Sequence, residues 1–252
     1  MRIALKFAYD GRKYFGFARQ PKLKTVEGQI LNLLIKKGFM ISARDSNYQT
    51  ASRTDKGASA FGNVIGFDTN LTKDDILNSI LGVFDDIIIY GYAFVDYDFY
   101  PRHAKVRVYR YFLLKEDFKL EDLFKIITVF TGIHNFKNFA RVENHKNPLR
   151  EIDNIVIEEI GDFFAIDFYA QTYLWHQIRR IISAVVKVLQ GKNTIEDVVF
   201  SLDNPNRNFD FGLACAEPLI LKDIRYSFNF DYPKGYRRKI AYLERKIVEG
   251  LK

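Results

Sequence analysis

Ala51-Ser52-Arg53-Thr54-Asp55-Lys56-Gly57-Ala58-Ser59-Ala60 is the stretch around which the rest of the chain is organised. It sets a cation, a hydroxyl and a carboxylate at consecutive positions and follows them with Gly57, which can take the positive φ of a tight turn. In isolation it reads as a surface turn with a solvated ion pair, which contributes little to stability. Its flanks change that reading. On the N-terminal side Ile3, Leu5, Phe7 and Tyr9 alternate like a half-buried strand, Val26, Ile30, Leu33 and Leu34 mark a helix closed by Gly38, and a strand is expected from Phe39. On the C-terminal side Val64, Ile65 and Phe67 read as a strand. Thr72 and Asp75 then cap a helix with Ile76, Leu77, Ile80 and Leu81 inward, and a strand follows over Asp86 to Val95. The order is β-α-β, the loop, then β-α-β.

The second half repeats that order. Lys105 to Leu114 reads as a strand, and Leu120, Leu123, Phe124 and Ile127 as a helix ended by Gly132. Arg150 to Ile160 and Phe163 to Ala170 read as strands joined by a Gly161-Asp162 turn. Leu174, Ile178, Ile182, Val185 and Leu189 give a helical stripe ending at Gly191, Thr194 with Asp197 caps a short helix, and Leu219 to Phe228 is a last strand. The expected fold is therefore α+β, with two split-βαβ, ferredoxin-like halves whose antiparallel-rich sheets lie side by side with helices on one face. The division is 1–100, 101–230 and a basic C-terminal helix over 231–252, and a cleft between the sheets would take a long ligand. The tail carries seven basic and three acidic residues with Ile240, Leu243 and Ile247 at helical spacing, which favours a docked amphipathic helix over direct contact with a ligand.

Composition narrows the function. The chain has 252 residues, 48% hydrophobic, enough for a proper core in one large or two small domains. Cys215 alone excludes a disulfide framework, and His103, His134, His145 and His176 lack metal-ligand spacing. A reducing cytoplasm is the expected compartment, since the N-terminus alternates like a strand and no apolar run reaches membrane-spanning length. The balance of 38 basic to 31 acidic residues, with 15% aromatics, points toward a polyanionic partner. Aromatics interleaved with cations, as in Arg107-Val108-Tyr109-Arg110-Tyr111, suit stacked bases and phosphates. A lysine-, isoleucine- and phenylalanine-rich genome would raise the same counts.

Three segments could carry chemistry. Alternation in the Lys105 strand puts Lys105, Arg107, Tyr109 and Tyr111 on one face and the valines on the core face, with Arg110 the exception. Tyr109 then suits base stacking, although the exposed half of an antiparallel sheet would look similar. On the Leu174 helix, Arg179 sits on the shoulder of the apolar stripe, and helix geometry by itself favours an arginine lying along the surface. Gly212-Leu213 says nothing by itself.

Six segments in order resemble the TruA family of tRNA pseudouridine synthases, over roughly Ile3 to Tyr226. They are Y-D-G-x-x-Y-x-G-F at Tyr9 to Phe17, S-R-T-D-K-G-A-S-A at Ser52 to Ala60, and G-N-V-I-G-F-D-T at Gly62 to Thr69. F-Y-P-R-H-A-K-V-R-V-Y-R-Y at Phe99 to Tyr111, Y-L-W-H-Q-I-R-R-I at Tyr173 to Ile181 and Gly212-Leu213 complete the set. The resemblance implies cofactor-free isomerisation of uridine in the tRNA anticodon stem-loop by a homodimer. It makes Asp55 the catalytic aspartate, held ionised by a salt bridge from Arg53, with Tyr109 stacked on the target base, Arg179 supporting the site and Leu213 walling the pocket. It also implies RNA contacts from the Asp10–Arg19 loop, with Arg12, Lys13, Tyr14 and Arg19, and from Lys56, Arg102, Lys105 and Arg107. Ser52, Lys56, Asn63 and His103 depart from the usual pattern, and the segment from His103 to Tyr109 is one residue shorter. A non-catalytic tRNA-binding or RNA chaperone module on the same fold is the alternative. A two-carboxylate glycoside hydrolase would need a second acid opposite Asp55, and no segment nominates one.

Overall fold

Strand β1 (Arg2–Tyr9) is buried along its whole length, on both faces of the pleat. The alternation of its sequence predicts one wet face, and the structure corrects this by neutralising the polar residues of the second face. Buried Arg2 donates to Asp68 Oδ1 at 2.7 Å, Gln49 Oε1 at 2.8 Å and the Phe99 carbonyl at 2.8 Å. Buried Lys6 pairs with Asp223 and donates to the Ile224 carbonyl at 3.2 Å. A buried cation is tolerated when it is paired and its donors are satisfied.

The computed structural model describes residues 1–84, 86–116, 118–143 and 146–251, so His145 lies outside the described residues. The chain divides into two units, Met1–Lys105 with Ile220–Lys252, and Val106–Leu219. In the first, β1 pairs antiparallel with β3 (Ser59–Asp68) and β5 (Ile87–Val95), so that Leu5 faces Ile65 on one side and Tyr92 on the other. The two-residue β2 (Gln49–Thr50) and β4 (Gly82–Phe84) add to β3 and β5 respectively. Ile220 and Leu221 of β11 (Leu219–Arg225) run parallel to Ser59 and Ala60. Helix α1 (Val26–Lys36) is capped by the Thr25 side chain and buries Val26, Ile30, Leu31 and Leu34, as the spacing predicts. Helix α6 (Tyr236–Glu249) closes the unit and buries Leu243 and Ile247.

Two readings in this unit need correction. No strand starts at Phe39. Ser42 caps the Asp45 amide, the Tyr48 amide returns to the Ala43 carbonyl, and these local bonds turn the chain until Gln49. The Thr72–Asp75 capping box forms, but it starts only the short α2 (Lys73–Asp75) and a wider turn over Ile76–Ile80, which leaves Leu77 exposed.

In the second unit β10 (Phe163–Ala170) lies between β6 (Val106–Leu114) and β9 (Asn154–Ile160), all antiparallel. Helices α3 (Leu120–Ile127) and α4 (Gln177–Leu189) pack on each other, and α5 (Ile195–Asp203) starts from the Thr194–Asp197 capping box. The single strand expected over Arg150 to Ile160 is two. β8 (Leu149–Ile152) pairs with β7 (Gly132–Asn135), while β9 pairs with β10, and the chain changes partner at Asp153, whose amide bonds the Tyr169 carbonyl at 2.8 Å. The architecture is α+β with mostly antiparallel strands. Among the described residues no helix is long and apolar enough to cross a membrane.

Candidate active site

The segment from Ala51 to Ala60 is a loop clamped on both sides by buried contacts of the first unit. The Ala51 amide bonds the Val64 carbonyl at 2.9 Å, and Asn63 Nδ2 donates to the Ser52 carbonyl at 3.0 Å, so one departure from the family pattern holds another in place. Thr54 turns inward, its Oγ1 2.8 Å from the buried Tyr9 hydroxyl, while its carbonyl accepts from the Phe17 amide at 3.1 Å. Gly57, at φ +89°, turns the chain so that the Ala58 amide closes on the Asp55 carbonyl at 3.2 Å. Asp55 is thereby held half-buried between two anchored residues, and Arg53 and Lys56 on either side are exposed. Lys56 Nζ lies 4.6 Å from the centre of the Phe15 ring. Arg53 forms no ion pair among the described residues, so the Arg53–Asp55 salt bridge implied by the resemblance is absent. An exposed guanidinium is well solvated and gains little from such a pair.

The Tyr9–Phe17 segment is the other wall of this clamp. Gly11 presses on the loop: a Cβ there would sit 1.9 Å from the Ala58 carbonyl oxygen, and its amide bonds Ser59 Oγ at 2.9 Å. Gly11→Ala is therefore expected to destabilise the protein by about 3 kcal/mol through overpacking, read as a shift of the urea midpoint at unchanged m-value. Tyr14 is only 2% exposed and packs edge-on against Tyr9, which makes it a core residue rather than part of an RNA-facing surface. Arg12 forms a fork with Asp10, at 2.9 and 2.7 Å, and reaches the Ile247 and Lys246 carbonyls at the end of α6. Its pKa is raised, first by the hydrogen bond it donates to Asp10. Lys13 pairs with Asp86, and exposed Arg19 follows, its amide on Glu27 Oε2 at 2.7 Å. Arg102 and Lys105 are exposed on the segment that ends the unit's N-terminal part.

In the second unit the expected polar face of β6 is covered. Arg107 is buried and donates to the Gln171 carbonyl, and Tyr111 is buried with its hydroxyl 3.3 Å from the Cys215 carbonyl, its pKa raised by burial. Tyr109 is half-buried and meets Tyr173 edge to face at 5.2 Å. Burial pushes the Tyr173 hydroxyl well above its ordinary pKa. On the opposite, core-facing side, Arg110 forms a fork with Asp167, Nε to Oδ1 at 2.6 Å and Nη2 to Oδ2 at 2.8 Å, and also reaches Glu158 at 2.8 Å. The pair is directly opposed in the β6–β10 register. Arg110, an exception to the alternation, is thus a buried strand clasp, and only its misplacement in the pattern signals it.

Half-buried Arg179 on α4 donates from Nε to the Ala214 carbonyl at 2.8 Å, and the Ala214 amide returns to the Arg179 carbonyl at 3.2 Å. This two-way bond ties the Gly212-Leu213 segment to the helix. Gly212, at φ +85°, brings the chain past Ser183, and Leu213 is 41% exposed. Asp210 caps this turn by accepting from the Gly212 amide at 2.8 Å, which holds its pKa below the usual carboxylate range, with Arg180 assisting. A depressed folded-state pKa gives order that is present above the unfolded value and is lost as pH falls through the folded one. The Gly212 amide is therefore expected to stay protected from hydrogen exchange at neutral pH and to lose protection only in acid, below about pH 4. Among the described residues no three His, Cys, Asp or Glu side chains group to hold a metal.

Comparison with known proteins shows the family. Residues 126–227 match a family model described as tRNA pseudouridine synthase. A tRNA pseudouridine synthase A of Thermococcus sibiricus is 40% identical over 97% of this chain and 93% of its own length. One from Thermococcus onnurineus is 39% identical over 90% and 85% respectively. A solved chain from a Cbf5-Nop10-Gar1 complex matches 73% of this chain and 44% of its own, at 13% identity and a TM-score of 0.37. With that identity sustained over nearly its full length, the chain belongs to the TruA family of tRNA pseudouridine synthases.

Proposed function

We propose that the protein isomerises uridine to pseudouridine in the anticodon stem-loop of tRNA, with Asp55 acting on the target nucleotide. The observation that supports this most directly is the mounting of Asp55, a half-buried carboxylate on a loop pinned by Tyr9, Phe17, Asn63 and Gly11. Preorganisation of this kind is what a reacting group needs and a solvated turn does not.

The reaction breaks the C1′–N1 bond, forms C1′–C5, removes the C5 proton and returns one to N1, so the composition of the nucleotide is unchanged. The base must leave its stack and be retained while detached. Asp55 serves as nucleophile or base, Tyr109 retains the base by stacking, Arg179 supports the site and Leu213 walls it. Arg53 and Lys56 supply exposed positive charge on either side of Asp55, and Lys13, Arg19, Arg102 and Lys105 meet the RNA backbone. Arg107 and Arg12, already engaged by backbone carbonyls, hold the elements on which their neighbours act. The same reading gives two ferredoxin-like halves and a cytoplasmic homodimer in which one tRNA touches both subunits, with no cofactor.

The test is turnover of unmodified tRNA carrying tritium at C5 of uracil. Release of tritium at a rate proportional to enzyme supports the reading. Salt-sensitive tRNA binding with no release would instead identify a binding module that kept the fold and lost the chemistry.

A further inference from the structure

Helix α6 and the start of the Asp10 loop enclose a groove of about 380 Å³ in the first unit. Its floor is Ile88 and Leu243 with exposed Val83 at the edge, and its lining carries Lys13, Arg238, Lys239 and Lys246 beside the carboxylates of Asp10 and Asp86. Those two carboxylates are already matched, Asp10 by Arg12 and Asp86 by Lys13 and Lys24. Among the described residues Arg238, Lys239 and Lys246 form no ion pair. Three cations thus face the groove with no carboxylate to answer them. Tyr242 stands beside them, 59% exposed, with Arg245 5.7 Å from its ring centre. Arg238, Lys239, Tyr242, Leu243 and Lys246 share one face of α6.

The mounting of this face is rigid. Tyr236, at the first turn of α6, stacks on Tyr90 of β5 at 5.5 Å and 3° and on Tyr232 at 4.4 Å and 14°. Gly91 leaves room for Tyr232, whose ring would lie 2.9 Å from a Cβ at that position. At the other end Arg12 caps the helix carbonyls of Lys246 and Ile247. A helix held only to bury Leu243 and Ile247 does not need an aromatic stack and an arginine clamp at its two ends.

We propose that this groove holds one unpaired nucleotide of the RNA substrate, outside the loop that carries Asp55, with the base against Tyr242 and the apolar floor and the phosphate on Lys239 and Lys246. An apolar floor, an exposed aromatic and unanswered cations within a few residues are the requirements of a single-stranded nucleotide. A volume of this size suits a small ligand of that class. A duplex backbone would use the cations and leave the apolar floor and Tyr242 without a role. The inference rests on the reading that the substrate is tRNA, and it adds a second contact that acts on binding and not on the chemical step.

The test uses the full protein with Tyr242→Ala and with the double variant Lys239→Gln/Lys246→Gln, all at exposed positions. With unmodified tRNA, Tyr242→Ala is expected to weaken binding roughly fivefold or more. The double variant is expected to lower the slope of log Kd against log salt by about 0.7, the share of one single-strand phosphate. In turnover both should raise KM for whole tRNA at unchanged kcat and leave a 17-nucleotide anticodon stem-loop unaffected. A 4-thiouridine oligonucleotide of ten residues should crosslink to the α6 peptide, and a ten-base-pair RNA duplex should not compete. Unchanged tRNA affinity in both variants would overturn the proposal, as would equal losses on tRNA and stem-loop, or saturation by free UMP with no oligonucleotide binding. Crosslinking and affinity are read without turnover, so an absence of tritium release would count against the enzymatic reading and leave this inference standing or falling on its own data.

Discussion

Asp55→Ala is expected to lower tritium release from C5-labelled tRNA by at least about 10⁴-fold, the upper range for loss of a positioned acid or base. The fold should survive the change. The Thr54–Tyr9 hydrogen bond, the bonds from Asn63 and Phe17 and the bond to the Asp55 backbone carbonyl hold the loop, and all of them remain when the carboxylate is removed. Thermal midpoint and tRNA affinity should therefore stay near those of the native protein. Asp55→Asn sharpens the test, because the amide keeps shape and polarity and removes only the charge and the basicity. It should be as inactive as alanine. Release that persists in either variant would remove Asp55 from the chemistry and with it the proposed mechanism.

The second large effect lies in the strand clasp beside Tyr109. Asp167→Ala is expected to destabilise the protein by about 3–5 kcal/mol, the cost of leaving a buried charge without its partner. Arg110 and Asp167 are only 4% and 2% exposed, so water cannot replace the lost carboxylate, and Glu158 offers one bond where Asp167 made two. Replacing both residues with apolar ones of similar volume, as in Arg110→Met/Asp167→Leu, should recover most of the loss, since the Coulombic gain of such a pair roughly offsets its desolvation. Urea unfolding of the three proteins measures this directly. If Asp167→Ala costs less than about 1 kcal/mol, the pair is not the clasp proposed here. The consequence for function runs through register: Arg110 sets β6 against β10 one residue from Tyr109, so the single variant should also raise KM for tRNA at temperatures where it is folded.

Much of the fold was legible because its elements follow periods that burial imposes. The capping boxes at Thr72 and Thr194, the glycine stops at Gly38 and Gly191 and the Gly161 turn all stand where the pattern puts them. The reading failed where a local or tertiary partner outbid the period. Ser42 and Asp45 turned the Phe39 segment away from a strand. Asp153 is the point at which one apolar run serves two partners, a choice that pairing makes and periodicity cannot reveal. Arg2 and Lys6 look like wet-face residues, and Arg110 like an exception on a core face, until the partners that neutralise them, at positions 68, 223 and 167, are brought alongside by the fold.

The site divides in the same way. Sequence by itself determined the residue types of the Arg53-Thr54-Asp55 loop, the order of the six segments and the family they belong to, because chemistry and turn geometry there depend on near neighbours. Only the tertiary structure decided which of those residues are available. It took Tyr14 into the core, covered the β6 face around Arg107 and Tyr111, engaged Arg12 with α6, and left Arg53 in water without its expected partner. The physical reason is that burial and ion pairing are set by residues tens to hundreds of positions away, whereas the period of a strand or the turn at Gly57 is set by the few residues on either side.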